Sequence, residues 1–233
     1  MSEPTIEDVF SSWQPQAVVF DCDGLLVDTE PCWTIAETEL FARRGLDFGL
    51  DQKALVIGKS LLHASETIAE LFGGAAEATS IESELLALVT ESITETASPM
   101  PGANDIVEMV AGLMPMAVAS NSSRALLNAA LDRGGFADAF EISVAADEVA
   151  SPKPDPDMYL KACQMLETPP SDVLAFEDSL TGLASARAAG LKVIGVPTLK
   201  HDNFPAEYVT DTLADGDLSV WLRTFSRLPV ADS

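Results

Sequence analysis

The chain has 233 residues, 47% of them apolar, enough for one large domain or a core with a smaller insert, and too apolar for global disorder. Against 13 basic residues stand 37 acidic ones, and the formal charge of −24 repels nucleic acid and anionic lipid, so neither is expected as a partner. The three cysteines are scattered without a CxxC pair, the first ten residues have no signal-peptide pattern, and no apolar stretch approaches the roughly 20 residues of a membrane span, which together lead us to expect a cytoplasmic protein.

Residues 1–15 are polar with two prolines and read as a lead-in. Val18-Val19-Phe20 then reads as a strand apolar on both faces, the signature of a buried parallel strand. It breaks at once into Asp21-Cys22-Asp23-Gly24. Alternate residues on a strand point the same way, so Asp21 and Asp23 form a close acidic pair and Cys22 points away into the core. Such a pair calls for a divalent cation; a turn or helix-cap pair of aspartates is the other reading of these residues alone. Residues 25–30 read as a loop, and from Pro31 the pattern turns helical, with Ile35, Leu40 and Phe41 apolar and Glu37 among the polar positions between them. Gly45 suits the end of that helix.

No strand pattern follows until about Ser98. Residues 61–71 and 80–96 read as amphipathic helices separated by Gly73-Gly74, in an all-helical block expected to fold as a separate small bundle. Beyond Pro99-Met100-Pro101-Gly102, helices at 103–113, 124–132, 157–166 and 181–189 alternate with strands at 116–119, 141–145, 173–176 and 192–196, and Tyr208-Val209 suggests a short last strand. The expected fold is α/β: a doubly wound, Rossmann-like parallel sheet core (residues 1–29 and 99–233) with an inserted all-helical domain (30–98).

Polar clusters end three of these strands and one loop. Asp21 and Asp23 follow the first, Ser120-Asn121 the second, and Glu177-Asp178-Ser179 the fourth; Lys153 stands between two prolines in the loop after the third. In a parallel sheet these ends share one edge, so the clusters converge on one crevice. Alone, each has a bland reading: N-cap serines, a solvated loop lysine, an acidic helix start. Together they supply oxygen ligands for Mg²⁺, a phosphate clamp and a compensating ammonium.

In order, Asp21-Cys22-Asp23-Gly24, Ser120-Asn121, Lys153-Pro154-Asp155-Pro156 and Glu177-Asp178-Ser179 with Gly182 resemble the four motifs of the haloacid dehalogenase superfamily, and the helical insert resembles that family's α-helical cap. The subgroup most similar is the phosphatases and mutases related to β-phosphoglucomutase. The resemblance implies Asp21 as nucleophile, Asp23 as general acid and base, and Lys153 as a third catalytic residue. It implies Mg²⁺ on the side chains of Asp21, Glu177 and Asp178 and on the Asp23 backbone carbonyl. Substrate and phosphate contacts are expected from Ser120, Asn121, Lys153 and Gly24, with Lys59 (in Gly58-Lys59-Ser60) and Glu30 from the cap side.

Asp23 sets the chain apart from the family's dehalogenases, which lack that aspartate. Trp33 stands where β-phosphoglucomutase has a histidine, and an indole N–H is no acid or base at neutral pH. Asp28-Thr29-Glu30-Pro31-Cys32-Trp33 instead resembles the hinge of sugar- and polyol-phosphate phosphatases. The expected activity is therefore a Mg²⁺-dependent phosphatase of a small phosphorylated metabolite, as a monomer or weak homodimer. A phosphosugar mutase and a non-catalytic metal- and phosphate-binding protein are the alternatives. Trp33 is expected to pack between cap and core, and His63 and His201 are not expected to be ligands.

Overall fold

The structure is a computed structural model describing residues 4–57, 59–198 and 204–225. Its first element, helix α1 (Ile6–Phe10), lies inside the expected lead-in. Thr5 caps the Asp8 N–H while the Asp8 carboxylate accepts from the Thr5 N–H. Ile6 and Phe10, one turn apart, are buried, and Phe10 stacks on Trp221 with ring centroids 4.9 Å apart. Two apolar residues suffice to dock one turn, and that is too short a pattern to read as a helix.

β1 (Ala17–Phe20) is buried throughout. The stretch read as a loop contains β2 (Val27–Asp28). Helix α2 (Glu30–Ala42) begins one residue before Pro31, which stands in the first turn, where a missing N–H costs nothing. The helical block continues with α3 (Leu50–Val56), α4 (Leu61–Leu71) and α5 (Ala78–Thr96). α3 escaped sequence reading because Leu50 and Leu55 are exposed and only Val56 is buried, so no apolar stripe marks it. β3 (Ser98–Pro99) then pairs antiparallel with β2, tying together the two chain segments that enter and leave the block.

Strands and helices now alternate: α6 (Ala103–Ala111), β4 (Met116–Ser120), α7 (Arg124–Gly134), β5 (Ile142–Ala145), α8 (Asp157–Met165), β6 (Val173–Glu177), α9 (Leu180–Ala189), β7 (Lys192–Gly195) and β8 (Tyr208–Val209). A last helix, α10 (Gly216–Leu222), is capped by Asp215 and was not expected; its seven residues carry little periodic signal.

One sheet runs β5-β4-β1-β6-β7-β8, and every neighbouring pair is parallel. Val18 and Phe20 contribute to one apolar cluster, shared with α1, α6, α7 and α10; Ala17 and Val19 contribute to the other, shared with α8 and α9. Burial of both faces explains the unbroken apolar run of β1. From β1 the chain builds one side of the sheet through β4 and β5, then returns to build the other through β6, β7 and β8. The switch point is therefore the carboxyl end of β1, where open α/β sheets place their ligand crevice.

Ile68, Ile81, Leu85 and Val89 of the helical block belong to the same buried cluster as Leu126 and Leu127 of α7, against which α5 packs. Among the described residues no helix is long and apolar enough to cross a membrane.

Candidate active site

Asp21 is the first residue beyond β1, and its N–H still donates to Phe176 O at 3.0 Å, which continues the β1–β6 pairing. Glu177 ends β6 and Asp178 follows it. Lys153 reaches the same spot from the loop before α8: its Nζ donates to Asp21 Oδ1 at 2.5 Å and to Glu177 Oε1 at 2.6 Å. All four residues are buried. The Tyr159 hydroxyl, from α8, also donates to Glu177 Oε1, and Thr198 Oγ1 donates to Asp178 Oδ2 at 2.7 Å. Two glycines make room for the acids. A Cβ on Gly24, which has φ +80°, would lie 2.5 Å from Asp178 Oδ2, and one on Gly182 would collide with the Glu177 carboxylate.

Burial pushes the Asp21 carboxyl well above the usual carboxylate range; Lys153 opposes that rise, while Glu177 and Asp178 add to it. Asp178 is pushed up to about 7, again by burial, with the Thr198 hydrogen bond opposing. Burial works against the charge on Lys153, but Asp21 and Glu177 outweigh it, and its pKa is raised. The Tyr159 phenol is raised by burial and by Glu177, so it serves as a neutral donor.

Asp23 belongs to a second arrangement. Its side chain is turned to hydroxyls: Ser120 Oγ donates to Oδ2 at 2.7 Å, Ser122 Oγ to Oδ2 at 2.9 Å, and Thr29 Oγ1 to Oδ1 at 2.9 Å. Asn121, expected at the phosphate, spends its amide on the backbone of Lys153: Lys153 N donates to Asn121 Oδ1 at 2.9 Å, and Asn121 Nδ2 donates to Lys153 O at 3.1 Å. Its visible work is to hold the lysine loop. Among the described residues the buried Ser123 hydroxyl has no hydrogen-bond partner. Cys22 is fully buried in the core, away from the aspartates, as the strand alternation predicts.

These groups open onto a cleft of about 730 Å³ whose other wall is the helical block. Lys59, Glu30 and Trp33 line it, with Trp33 also packed against the apolar core. The Lys59 ammonium donates to Thr67 Oγ1 at 2.8 Å, and His63 Nδ1 is hydrogen-bonded to the nearby Ser60 Oγ at 2.9 Å. Gly58 and His201 lie outside the described residues. Sequence reading missed two residues of this wall. Glu37, one of the polar positions between the apolar ones of its helix, is only 2% exposed, and Lys53 Nζ sits 2.8 Å from Glu37 Oε2 and 2.7 Å from Glu30 Oε1. One signal was available: Glu30, Trp33 and Glu37 fall on one face of α2. Thr29, Ser122, Tyr159 and Thr198 were missed as well, each being an ordinary residue until its partner is placed.

One oxygen from each of Asp21, Glu177 and Asp178 lies within 4.8 Å of the others. One ammonium against three buried carboxylates leaves an uncompensated negative charge, which is costly in a dry site. A hard divalent cation with oxygen ligands removes that cost, so the donor set fits such an ion. The Asp23 side chain, committed to its three hydroxyls, is outside the cluster.

A model of the haloacid dehalogenase-like hydrolase family matches residues 15–190. The bifunctional riboflavin kinase/FMN phosphatase of Arabidopsis thaliana is 32% identical over 88% of this chain, which spans about half (55%) of that longer relative. Fructose-1-phosphate phosphatase YqaB of Escherichia coli (strain K12) is 31% identical, over 78% of this chain and 96% of its own length. Among solved structures, CbbY from Rhodobacter sphaeroides in complex with phosphate superposes with a TM-score of 0.76 at 28% identity, covering 87% of this chain and 96% of that one.

Proposed function

The chain belongs to the haloacid dehalogenase-like hydrolase family and is a phosphomonoester-hydrolysing enzyme, and from that premise we propose that it cleaves a small sugar or polyol phosphate with Mg²⁺ through an aspartyl-phosphate on Asp21. The observation that carries this reading is the placement of Asp21 between the Lys153 ammonium and the Glu177–Asp178 acids, at the switch point of the sheet and facing the cleft.

In the first half-reaction an Asp21 oxygen attacks phosphorus, the ester P–O bond breaks, and Asp23 gives its proton to the leaving alcohol oxygen. In the second, Asp23 takes a proton from water, whose oxygen attacks the aspartyl-phosphate; orthophosphate leaves and the Asp21 carboxylate is restored. Lys153 has three N–H donors and spends two on Asp21 and Glu177, which leaves one for a phosphoryl oxygen. It also holds Asp21 in place for attack, with its own loop fixed by Asn121. Ser120 and Ser122 orient Asp23, and Gly24 lets the backbone approach the acids. Mg²⁺, held by the side chains of Asp21, Glu177 and Asp178 and by the Asp23 carbonyl, would supply positive charge for the phosphoryl oxygens. Trp33 offers no proton-transfer group where a mutase would need one, so water is the acceptor.

Residues 30–98 form, in this reading, a cap over a core of 1–29 and 99–233, joined through the paired β2 and β3. The cap closes on substrate to exclude water; identical small-angle scattering with and without a phosphate analogue would count against closure. The activity is tested by phosphate release from sugar, polyol, nucleotide and glycolate phosphates, with Mg²⁺ and after chelation. The expected result is metal-dependent turnover of sugar or polyol phosphates, and turnover that survives chelation or that prefers nucleotides would overturn the assignment.

A further inference from the structure

The cleft wall opposite Asp21 carries the residues least expected from the sequence. Glu37, 2% exposed, keeps its carboxylate in a largely dry place against Lys53, and Lys53 also binds the half-exposed Glu30. Burial raises the Glu37 pKa and Lys53 opposes that rise, so the lysine works to keep the acid charged. A carboxylate has about four acceptor sites, and the Lys53 ammonium fills one on Glu37, at Oε2. Both acids and the lysine line the cleft. Toward the cleft both acids present hydrogen-bond acceptors, and the charge of this trio, two carboxylates on one ammonium, is net negative. Lys59, the other cleft cation from this wall, has its ammonium on Thr67 Oγ1.

We propose that Glu37 and Glu30, bridged by Lys53, form the subsite that reads the hydroxyl groups of the substrate's leaving alcohol and rejects a second anionic group there. This rests on the phosphatase reading above and deepens it: the substrate is a monophosphate whose far end is neutral and polyhydroxylated, and bisphosphates and carboxylate-bearing phosphates are poor ligands. Hydroxyl donors to a carboxylate make strong charge-assisted bonds, whereas a phosphate at the same place meets like charge in a poorly solvated pocket.

The test measures binding rather than turnover, by calorimetry with Mg²⁺ on the Asp21→Asn protein, using a hexitol monophosphate, ethyl phosphate and fructose 1,6-bisphosphate. The Asp21→Asn protein should bind the hexitol ester best. Adding Glu37→Gln should reduce the preference for the hexitol ester over ethyl phosphate by about tenfold or more, the scale of a lost charge-assisted bond. The same change should tighten the bisphosphate, because a repelling charge is gone and Lys53 is partly released. A merely structural role would weaken all three ligands together, and that result overturns the proposal. So does an unchanged hexitol-to-ethyl ratio. If Glu37→Gln gives no cooperative melt, Glu30→Gln, with its side chain 53% exposed, carries the same test with smaller shifts in the same directions. Failure of every ester to bind would sink the proposal together with the phosphatase reading, whereas hexitol binding without the predicted shifts would sink the proposal alone.

Discussion

Two of the lysines that line the cleft each bridge two carboxylates at similar distances: Lys153 between Asp21 and Glu177 in the sheet core, Lys53 between Glu37 and Glu30 in the helical block. The contacts are alike and the surroundings differ. The core lysine and both its partners are buried, with Asp178 beside them, so one ammonium faces an acid excess that calls for a further cation. The helical lysine has one buried partner and one half-exposed one, so water already relieves part of the charge. An identical ionic motif thus suits metal-assisted phosphoryl transfer in one place and hydroxyl recognition in the other. What decides is how many carboxylates lack a counter-charge and how much water reaches them.

Cutting the two bridges in the same way sharpens that contrast. Lys153→Gln should lower kcat/KM on a hexitol phosphate by about 10³-fold, since it removes a phosphoryl contact and loosens the nucleophile. Lys53→Gln should cost about tenfold, mostly in KM, because it disturbs only the distal end of the ligand. Steady-state phosphate release from the two variants decides the matter; equal losses would break the distinction.

A smaller effect follows from the acid excess. In the folded protein Asp178 holds its proton up to about pH 7, against an ordinary value of 3.8. The folded state then binds more protons than the unfolded chain over that window, so metal-free stability falls as pH rises from about 4 to about 7. Asp21, also raised, acts in the same direction. Mg²⁺ favours the ionised acids and should restore the lost stability at the upper end. Melting temperatures at about pH 5 and pH 8, with and without Mg²⁺, measure this. A metal-free melting temperature that climbs across the window would contradict it.

The two regions also differed in how much the sequence disclosed. At the sheet edge, three apolar runs stop where a polar cluster starts, and parallel topology brings Asp21, Ser120 and Glu177 to the edge that the Lys153 loop also reaches. In the helical block the local mark on Glu37 is weak, no more than the α2 face it shares with Glu30 and Trp33. It stands among polar neighbours on α2, and its burial depends on Lys53, sixteen positions later, on a helix without an apolar stripe. The same limit hid α1, whose docking needs Trp221 from the far end of the chain. Asn121 shows a subtler one: the resemblance implies a phosphate contact there, and no sequence pattern foretells its two bonds to the Lys153 backbone, which depend on the approach of a loop 32 positions away.

The most direct test of the catalytic centre is phosphate release from a hexitol monophosphate with Mg²⁺ by the wild-type protein and by Asp21→Asn. The account predicts ready turnover by the wild type and a loss of about 10⁴-fold or more in the variant, the scale expected when a nucleophile is removed. Phosphate release by Asp21→Asn at a near-wild-type rate would contradict it.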